Sequence, residues 1–420
     1  MNATHDPRPV TQYVHALLIA IALVCMVAAR TNSMPPKYDA IQYVDMARSG
    51  LIGNPNLIAP MAYRPGMPLA SRAVADVLSV PIEDGFRIVG WISSLCFLMC
   101  VFTLARHFAV DYRHALVPMV ILGLSFAHIK FPLFFYSLVD VSAYPLMVLA
   151  FWALMTRRFA LCLLISGIGV LFKEFLAIPL SLVILHLGWT FWHSRSRRDF
   201  VRFAVALGFG VGVVLIPRLW IPVSGTGQFV DPINDLGTLR NVLTAPLDEG
   251  RWFNILYAVM GYWLPTILLL TRSRIDRVWA DLRGFTGWAM AMSLLLVLLL
   301  TMYGGTNIFV FVAYSVAVQA VVLALLFRHG VGVAEGIYVV AVTLLFNKIM
   351  LHLPLPANGF DAYIDFYGGY SSRVTVSTLM RAIEMGAFVA LAMCVRAVAA
   401  RIASDRGPGA PAADAALPGR

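Results

Sequence analysis

Long apolar runs separated by short polar connections make up most of the chain. Many of them approach the roughly 20 residues that cross a bilayer core. The runs are continuously apolar rather than alternating, which excludes a transmembrane β-barrel. The pattern predicts an all-α, polytopic transmembrane protein with about 11–13 membrane helices. The predicted spans are 12–29, 87–106, 115–130, 137–156, 159–172, 175–192, 203–222, 253–271, 285–303, 308–327, 331–350 and 379–399.

Two parts of this pattern need interpretation. The third to sixth spans are short and closely spaced, so we expect some of them to be broken or re-entrant helices. The first apolar run resembles a signal peptide, because Val27-Ala28-Ala29 could form a cleavage site. Its leader holds a single arginine, Arg8, together with Asp6. This weak positive region predicts a first transmembrane helix instead.

Composition agrees with a membrane protein and limits its partners. The chain is 60% hydrophobic and 13% charged, whereas about 25% of residues in soluble domains are charged. Its net charge of +10 does not indicate nucleic-acid binding, because the arginines cluster in short connections such as 193–202 and 271–283. By the positive-inside rule these connections are cytoplasmic. We therefore expect a multi-pass protein of the plasma (inner) membrane with both termini cytoplasmic.

Three longer loops then face the exoplasmic side, at 30–86, 223–252 and 351–378. We expect one transmembrane module over 1–222, including the first of these loops. Further helices and exoplasmic loops follow over 223–400. The tail 401–420 is rich in proline, alanine and glycine, which predicts cytoplasmic disorder.

The five cysteines indicate neither a disulfide nor a metal site. All lie inside apolar runs, and none forms a CxxC pair. They are interpreted as small buried side chains.

The first exoplasmic loop contains the most informative polar residues. Ala40, Tyr43, Val44 and Ala47 recur at helical spacing, which predicts a short amphipathic helix along the interface. Asp39 begins it. An acidic residue there fits a helix N-terminus, and it equally fits a carboxylate that takes a proton from an acceptor hydroxyl.

A rigid turn follows, because Tyr63-Arg64-Pro65-Gly66-Met67-Pro68 contains two prolines and a glycine. Arg64 within it could bind a phosphate or remain solvated. Arg218, at the outer end of the seventh span, has the same two interpretations: phosphate binding or snorkelling to the interface.

Further charges interrupt apolar sequence near the exoplasmic ends of spans. Lys173 and Glu174 form an adjacent pair after the fifth span. Charges at membrane depth usually face a cavity or each other. Asp140 needs a partner, for which His128 and Lys130 just upstream are the candidates.

Together these residues resemble the GT-C superfamily of integral-membrane glycosyltransferases, which includes protein O-mannosyltransferases and bacterial transferases that use lipid-linked sugars. The resemblance lies in a first helix followed by a long exoplasmic loop with the acidic stretch Tyr38-Asp39-Ala40-Ile41-Gln42-Tyr43. It continues in the Tyr63-Arg64-Pro65 turn, in Lys173-Glu174, where bacterial members often have Arg-Glu, and in Gly304-Gly305-Thr306-Asn307.

The resemblance implies a function and roles for residues. The enzyme would transfer a sugar from a polyprenyl-phosphate donor to a hydroxyl on a lipid or glycan acceptor, with inversion and with Asp39 as general base. Gln42 stands where a second acidic residue often occurs, which favours the metal-independent branch, so no cofactor is expected and a divalent metal is not supported. Donor-phosphate ligands would be Lys173, Lys130, Arg64 and Arg218. Residues orienting the acceptor would be Glu174, Asp140 and Tyr43.

Other functions remain open. A transporter or flippase of lipid-linked sugars would need polar residues at mid-membrane depth, and it often has repeated halves. The charges here lie near span ends, and no internal repeat is evident. A glycan ligase or polymerase would be expected to carry a large late exoplasmic loop, whereas 223–252 and 351–378 are modest. A non-catalytic subunit would tolerate Asp39→Asn.

Overall fold

The structure is a computed structural model that describes residues 8–31, 39–52, 56–109, 111–221, 249–303 and 308–347, with isolated positions elsewhere. The chain divides into two compact units, Met1–Arg373 and Val374–Arg420, and every element named below belongs to the first. The turn 304–307, the loop 351–378 and the tail 401–420 lie outside the described residues, as does most of the predicted span 379–399. The predicted boundary at residue 222 stays a prediction.

Helices account for nearly all of the regular structure in the described residues. In chain order they are α1 (Pro9–Ala28), α2 (Asp39–Ser49), α3 (Gly66–Leu78), α4 (Ile82–Phe108), α5 (Tyr112–Gly123), α6 (Phe131–Phe134), α7 (Asp140–Met155), α8 (Phe159–Val170), α9 (Ala177–Ser194), α10 (Arg197–Trp220), α11 (Glu249–Leu269), α12 (Arg272–Asp281), α13 (Phe285–Tyr303), α14 (Ile308–Ala313), α15 (Val316–Arg328) and α16 (Val333–Phe346). A π-helical turn, Phe126–Lys130, precedes α6, and 3₁₀ turns cover Met61–Tyr63, Glu174–Leu176 and Ala245–Leu247.

The all-α, polytopic class predicted from the sequence is confirmed. Among the described residues, six helices are long and apolar enough to cross a membrane: α1, α4, α9 with its preceding 3₁₀ turn, α10, α11 and α13. The bent pair of α5 with Phe126–Phe134 turns by 66° at its break and makes a seventh crossing if the pair is one broken span rather than a re-entrant loop. The third predicted span is therefore a broken helix, as the short, crowded apolar pattern indicated.

The remaining described spans are shorter than predicted. Helices α7, α8, α15 and α16 are apolar but only 10–17 residues long, and the span predicted at 308–327 is divided into α14 and α15 at Tyr314–Ser315. In place of about 11–13 full crossings, the described chain has six or seven, together with these four shorter apolar helices.

When the bent α5 pair, the shorter helices α7 and α8, and the α14–α15 pair are each counted as one crossing, alternation assigns the described connections to two faces. The described residues between α1 and α4, residues 171–176 and the C-terminal end of α10 at Ile221 share one face, which we call the loop face. Residues 156–158, 195–196, 270–284 and 329–332 share the other, which we call the arginine face. Hydrogen bonds agree with this assignment, because Arg274 in the 270–284 connection donates to the carbonyl of Gly330.

The core forms around α4, which packs against α1, α3, α5, α7 and α15. Residues on its buried stripe, including Phe97, Val101 and Phe102, are almost fully buried. A second, smaller cluster lies at the loop face, where Tyr43 and Met46 of α2 pack with Met67, Phe86 and Val139. This cluster gives the first loop a fixed position on the helices.

Two backbone contacts also hold the first loop. Ile58 and Ala59 form a short parallel pair with Gly225 and Thr226, which joins the loop to the segment after α10. The Gly66 amide donates to the carbonyl of Leu171 at 2.9 Å. Glycine is required there, because an added Cβ would lie only 2.5–2.8 Å from ring atoms of Phe172.

Candidate functional site

The acidic stretch of the first loop begins a helix, as predicted. Asp39 is the first residue of α2, and Ala40, Tyr43, Val44 and Ala47 form its buried stripe. Asp39 is half-buried and lies one turn before Tyr43, on the same side of the helix. Its carboxylate makes no hydrogen bond to another residue that the structure describes. The position suits a helix N-terminus and also leaves the carboxylate available to a ligand.

Arg64 connects α2 to the segment between α8 and α9. The backbone turns through Met61–Tyr63 and α3 begins at Gly66, so the Arg64 side chain is directed into the protein and is only 7% exposed. It donates from Nη1 to the Tyr43 hydroxyl at 2.9 Å and from Nη2 to Glu174 Oε1 at 2.5 Å. Its Nε is buried without a hydrogen-bond partner among the described residues.

Lys173 and Glu174 point to different partners although they are adjacent. Lys173 has an extended backbone (φ −158°) between α8 and the 3₁₀ turn, which sends successive side chains in opposite directions. Lys173 is buried and lies 3.2 Å from Asp140 Oδ1, whereas Glu174 pairs with Arg64 and keeps 44% of its side chain exposed. The polar group thus runs from a partly exposed carboxylate to a fully buried ion pair.

Asp140 begins α7 and is 4% exposed. Besides Lys173 it accepts a hydrogen bond from Tyr314 Oη at 2.8 Å. The Tyr314 ring stacks on Phe175, with centroids 4.3 Å apart and planes 15° apart. A buried carboxylate is very costly unless it is paired and hydrogen-bonded, and Asp140 satisfies both conditions.

Tyr314 was missed by the sequence analysis. It lies at the break between α14 and α15, inside a run read as one continuous apolar span. The only signal in the sequence is Tyr314-Ser315, two polar side chains in succession within that run.

Electrostatics link Asp39 to this group, which we call the loop-face cluster: Asp39, Tyr43, Arg64, Asp140, Lys173, Glu174 and Tyr314. Burial raises the pKa of Tyr43 well above its usual value, the Arg64 guanidinium opposes this, and the Asp39 and Asp140 carboxylates add to it. Burial alone would lower the pKa of Arg64, but Glu174 and Tyr43 raise it above its ordinary value. Tyr43 therefore remains a neutral hydroxyl and Arg64 a cation at physiological pH.

Arg218 reaches the same face from α10. Its guanidinium lies 5.1 Å from the ring centroid of Tyr63 and donates to the carbonyl of Val214 at 2.7 Å. Arg218 therefore contacts the first loop at Tyr63, the residue that precedes Arg64. This position fits the snorkelling interpretation and places a third cation near the cluster, after Arg64 and Lys173.

Lys130 and His128 occupy the π-helical turn, and both are fully buried. His128 was predicted as a partner for Asp140, and that expectation is wrong. Its ring lies 3.1 Å from the Tyr262 hydroxyl and 3.4 Å from the carbonyl of Ala313. The break at residues 124–125 turns the His128 side chain into the helix bundle. Asp140 forms its ion pair with Lys173 of the α8–α9 connection instead.

The contacts of His128 form a second polar group, the interior network. It includes Gln319, which donates to the carbonyl of Tyr262 at 2.5 Å and to Thr266 Oγ1 at 3.2 Å. Asn347 Oδ1 accepts from the amide of Phe126 at 3.0 Å. These are neutral hydrogen bonds between helices, unlike the ion pairs of the loop-face cluster.

Among the described residues, no group of three or more His, Cys, Asp or Glu side chains could hold a metal ion. The loop-face cluster contains the half-buried Asp39 carboxylate, two tyrosine hydroxyls and two buried cations, and each cation is paired with a carboxylate, Arg64 with Glu174 and Lys173 with Asp140. Cations in such a site stabilise an anion, and a carboxylate within reach of a hydroxyl can accept its proton.

Comparison with known proteins identifies no relative. No family model, no curated protein and no solved structure matches the chain.

Proposed function

We propose that the protein is a membrane glycosyltransferase that moves a sugar from a polyprenyl-phosphate donor to a hydroxyl acceptor. The loop-face cluster carries this proposal. It combines the Asp39 carboxylate on α2 with the Arg64 cation, which is bonded one helical turn away to Tyr43. A carboxylate and buried cations at a membrane surface are what a phosphate leaving group and a hydroxyl nucleophile require.

In the proposed reaction the acceptor oxygen attacks the anomeric carbon and its proton passes to Asp39. The bond between that carbon and the phosphate oxygen breaks, so the configuration inverts and polyprenyl phosphate departs with one more negative charge. Arg64 and Lys173 are the cations that would stabilise this charge, with Lys130 and Arg218 as further candidates. Glu174, Asp140 and Tyr43 would orient the acceptor and the cations.

The membrane placement follows from the same proposal. The arginine face would be cytoplasmic under the positive-inside rule, which makes the loop face exoplasmic and both termini cytoplasmic in the plasma (inner) membrane. A lipid-linked donor would keep its tail in the bilayer while its phosphate reaches the cluster. Partners would then be the donor, a lipid or glycan acceptor and membrane lipids, without a metal cofactor.

The test is release of free polyprenyl phosphate from radiolabelled polyprenyl-phosphate hexoses and pentoses by the purified full-length protein, with an extract of membrane lipids and glycans added to supply the acceptor hydroxyl. This readout does not depend on the identity of the acceptor. We expect Asp39→Asn to lower the rate by about 10²–10⁴-fold, the usual contribution of a general base. Asp76→Asn is the matched control, because Asp76 is 73% exposed on α3 and should leave the rate unchanged.

Two results would overturn the proposal. One is the absence of release from every donor by wild-type protein that binds polyprenyl phosphate. The other is equal turnover by the wild type and Asp39→Asn.

One observation favours a second candidate, a transporter or flippase of lipid-linked sugars. The interior network places His128, Tyr262 and Gln319 deep among the helices, at the depth where such a protein needs polar groups. Movement of a fluorescent polyprenyl-phosphate sugar across proteoliposomes that survives Asp39→Asn would support this candidate.

A further inference from the structure

Helix α12 is held at the arginine face by the helices on either side of it. It connects α11 and α13, two consecutive crossing helices. With ten residues it is about 15 Å long, which is too short to cross a bilayer core. It must therefore lie at the surface of the membrane.

One side of α12 is fixed to the protein. Arg274 donates to both carboxylate oxygens of Glu335, at 3.0 and 2.8 Å. Val278 is 6% exposed, and Asp281 accepts from His329 at 2.7 Å. Residues 274, 278 and 281 follow the spacing of one helix face, so these contacts determine which side chains face outward.

The outward side carries apolar and basic residues together. Ile275 is 47% exposed and Trp279 is 73% exposed, and with Arg272 they form a stripe at helical spacing, while Arg283 lies in the turn that follows the last residue of α12. Arg272, Arg277 and Arg283 are exposed, and so is the acidic Asp276. Because Arg274 and Asp281 are paired within the protein, the outward side keeps a net positive charge.

Neighbouring residues mark the same level of the membrane. At the end of α9, Trp189 and Trp192 are 66% and 61% exposed, and the Arg195 guanidinium lies 4.1 Å from the ring centroid of Trp192. The α9–α10 turn lies on the arginine face, and the ring of His186 in α9 is 4.6 Å from that of Phe285, the first residue of α13. Exposed tryptophans beside arginines are typical of the headgroup region.

We propose that α12 is a membrane-surface helix that binds the phosphate headgroups of anionic phospholipids. Trp279 and Ile275 would enter the boundary of the acyl chains, and Arg272 and Arg283 would contact the headgroups beside them. Basic amphipathic helices bind membranes in this way, through apolar area and attraction to anionic lipid. This inference is independent of the proposed enzymatic function, since α12 lies on the face opposite the loop-face cluster.

The experiment reconstitutes the full-length protein into vesicles of phosphatidylcholine and phosphatidylglycerol, with bromine on the acyl chains of one lipid or the other. The total brominated fraction is held constant. Bromine quenches nearby tryptophan fluorescence, and the difference between wild type and Trp279→Phe isolates Trp279 from the other tryptophans. We expect brominated phosphatidylglycerol to quench Trp279 more strongly than brominated phosphatidylcholine does.

Charge variants then identify the arginines. We expect the preference for phosphatidylglycerol to fall about fivefold for each arginine removed in Arg272→Gln and Arg283→Gln. Arg72→Gln is the control, because Arg72 is 46% exposed on α3 of the loop face and should leave the preference unchanged.

Three outcomes would overturn the inference. Equal quenching of Trp279 by the two brominated lipids would remove the headgroup preference. An absence of quenching by either would mean that α12 faces water or a soluble partner. A preference that persists in Arg272→Gln/Arg283→Gln would assign the anionic lipid to other residues.

Discussion

Asp140 and His128 are both buried polar residues on neighbouring segments, but they are satisfied differently. Asp140 pairs with Lys173 and accepts a hydrogen bond from Tyr314, within a cluster that runs out to the partly exposed Glu174. His128 shares hydrogen bonds with Tyr262 and backbone carbonyls, and the contacts described above for this network include no ion pair.

The difference separates a charged polar group from a neutral one, and the two groups cost different amounts to bury. Ion pairs cost more to bury than neutral hydrogen bonds, and removing one partner leaves an uncompensated charge. The neutral interior network joins α11, α15 and the π-helical turn, which is a structural role that needs no charge.

The largest effect is expected from Lys173→Met. It leaves the Asp140 carboxylate buried with only Tyr314 among the partners described above, and loss of one member of a buried pair costs about 3–5 kcal/mol. The free energy of unfolding in mixed detergent micelles measures this. The double variant Lys173→Met/Asp140→Leu should recover most of the loss, because an apolar pair can replace a buried ion pair. A cost for Lys173→Met below about 1 kcal/mol would mean that removing Lys173 leaves no uncompensated buried charge at Asp140.

A smaller loss is expected from Tyr314→Phe, which removes the hydrogen bond to Asp140 and keeps the ring that stacks on Phe175. Hydrogen bonds to charged groups contribute about 1.5–3 kcal/mol. The same unfolding measurement applies. Tyr338→Phe is the control, since the Tyr338 hydroxyl has no hydrogen-bond partner in the described part of the chain. Equal losses in the two variants would contradict the role given to Tyr314.

The smallest effect is expected in the interior network. Gln319→Met keeps the side-chain volume and removes two neutral hydrogen bonds, which contribute about 0.5–1.5 kcal/mol each. Thermal unfolding in the same detergent measures this loss. If Gln319→Met cost as much as Lys173→Met, the distinction between the charged cluster and the neutral network would fail.

The sequence predicted the helical class, and it singled out several residues that the structure brings together in the loop-face cluster. The continuous apolar runs predicted the crossing helices. The helical spacing of apolar residues after Asp39 predicted α2 and its buried stripe. Three isolated charges stand out within apolar sequence: Asp140, Lys173 and Glu174. Burying an unpaired charge is so unfavourable that such residues are expected to have partners.

The pairing of those charges could not be predicted, because it depends on tertiary contacts between distant segments. The sequence suggested His128 or Lys130 as the partner of Asp140, since they are nearest along the chain. Because the helix breaks after α5, the His128 ring lies against Tyr262 instead. The extended backbone at Lys173 directs that side chain to Asp140, and the two form the ion pair. Tyr314 was missed because a tyrosine within an apolar run looks like core.

The bond between Arg64 and Glu174 spans 110 residues, which has a consequence for biosynthesis. At about 5–20 residues per second, the ribosome adds Glu174 roughly 6–20 seconds after Arg64. During that interval the arginine has neither its carboxylate nor the α8–α9 connection against which Gly66 docks. The loop-face cluster therefore forms late in synthesis. The first loop cannot make its contacts with the α8–α9 connection until that connection, which directly precedes α9, has been synthesised.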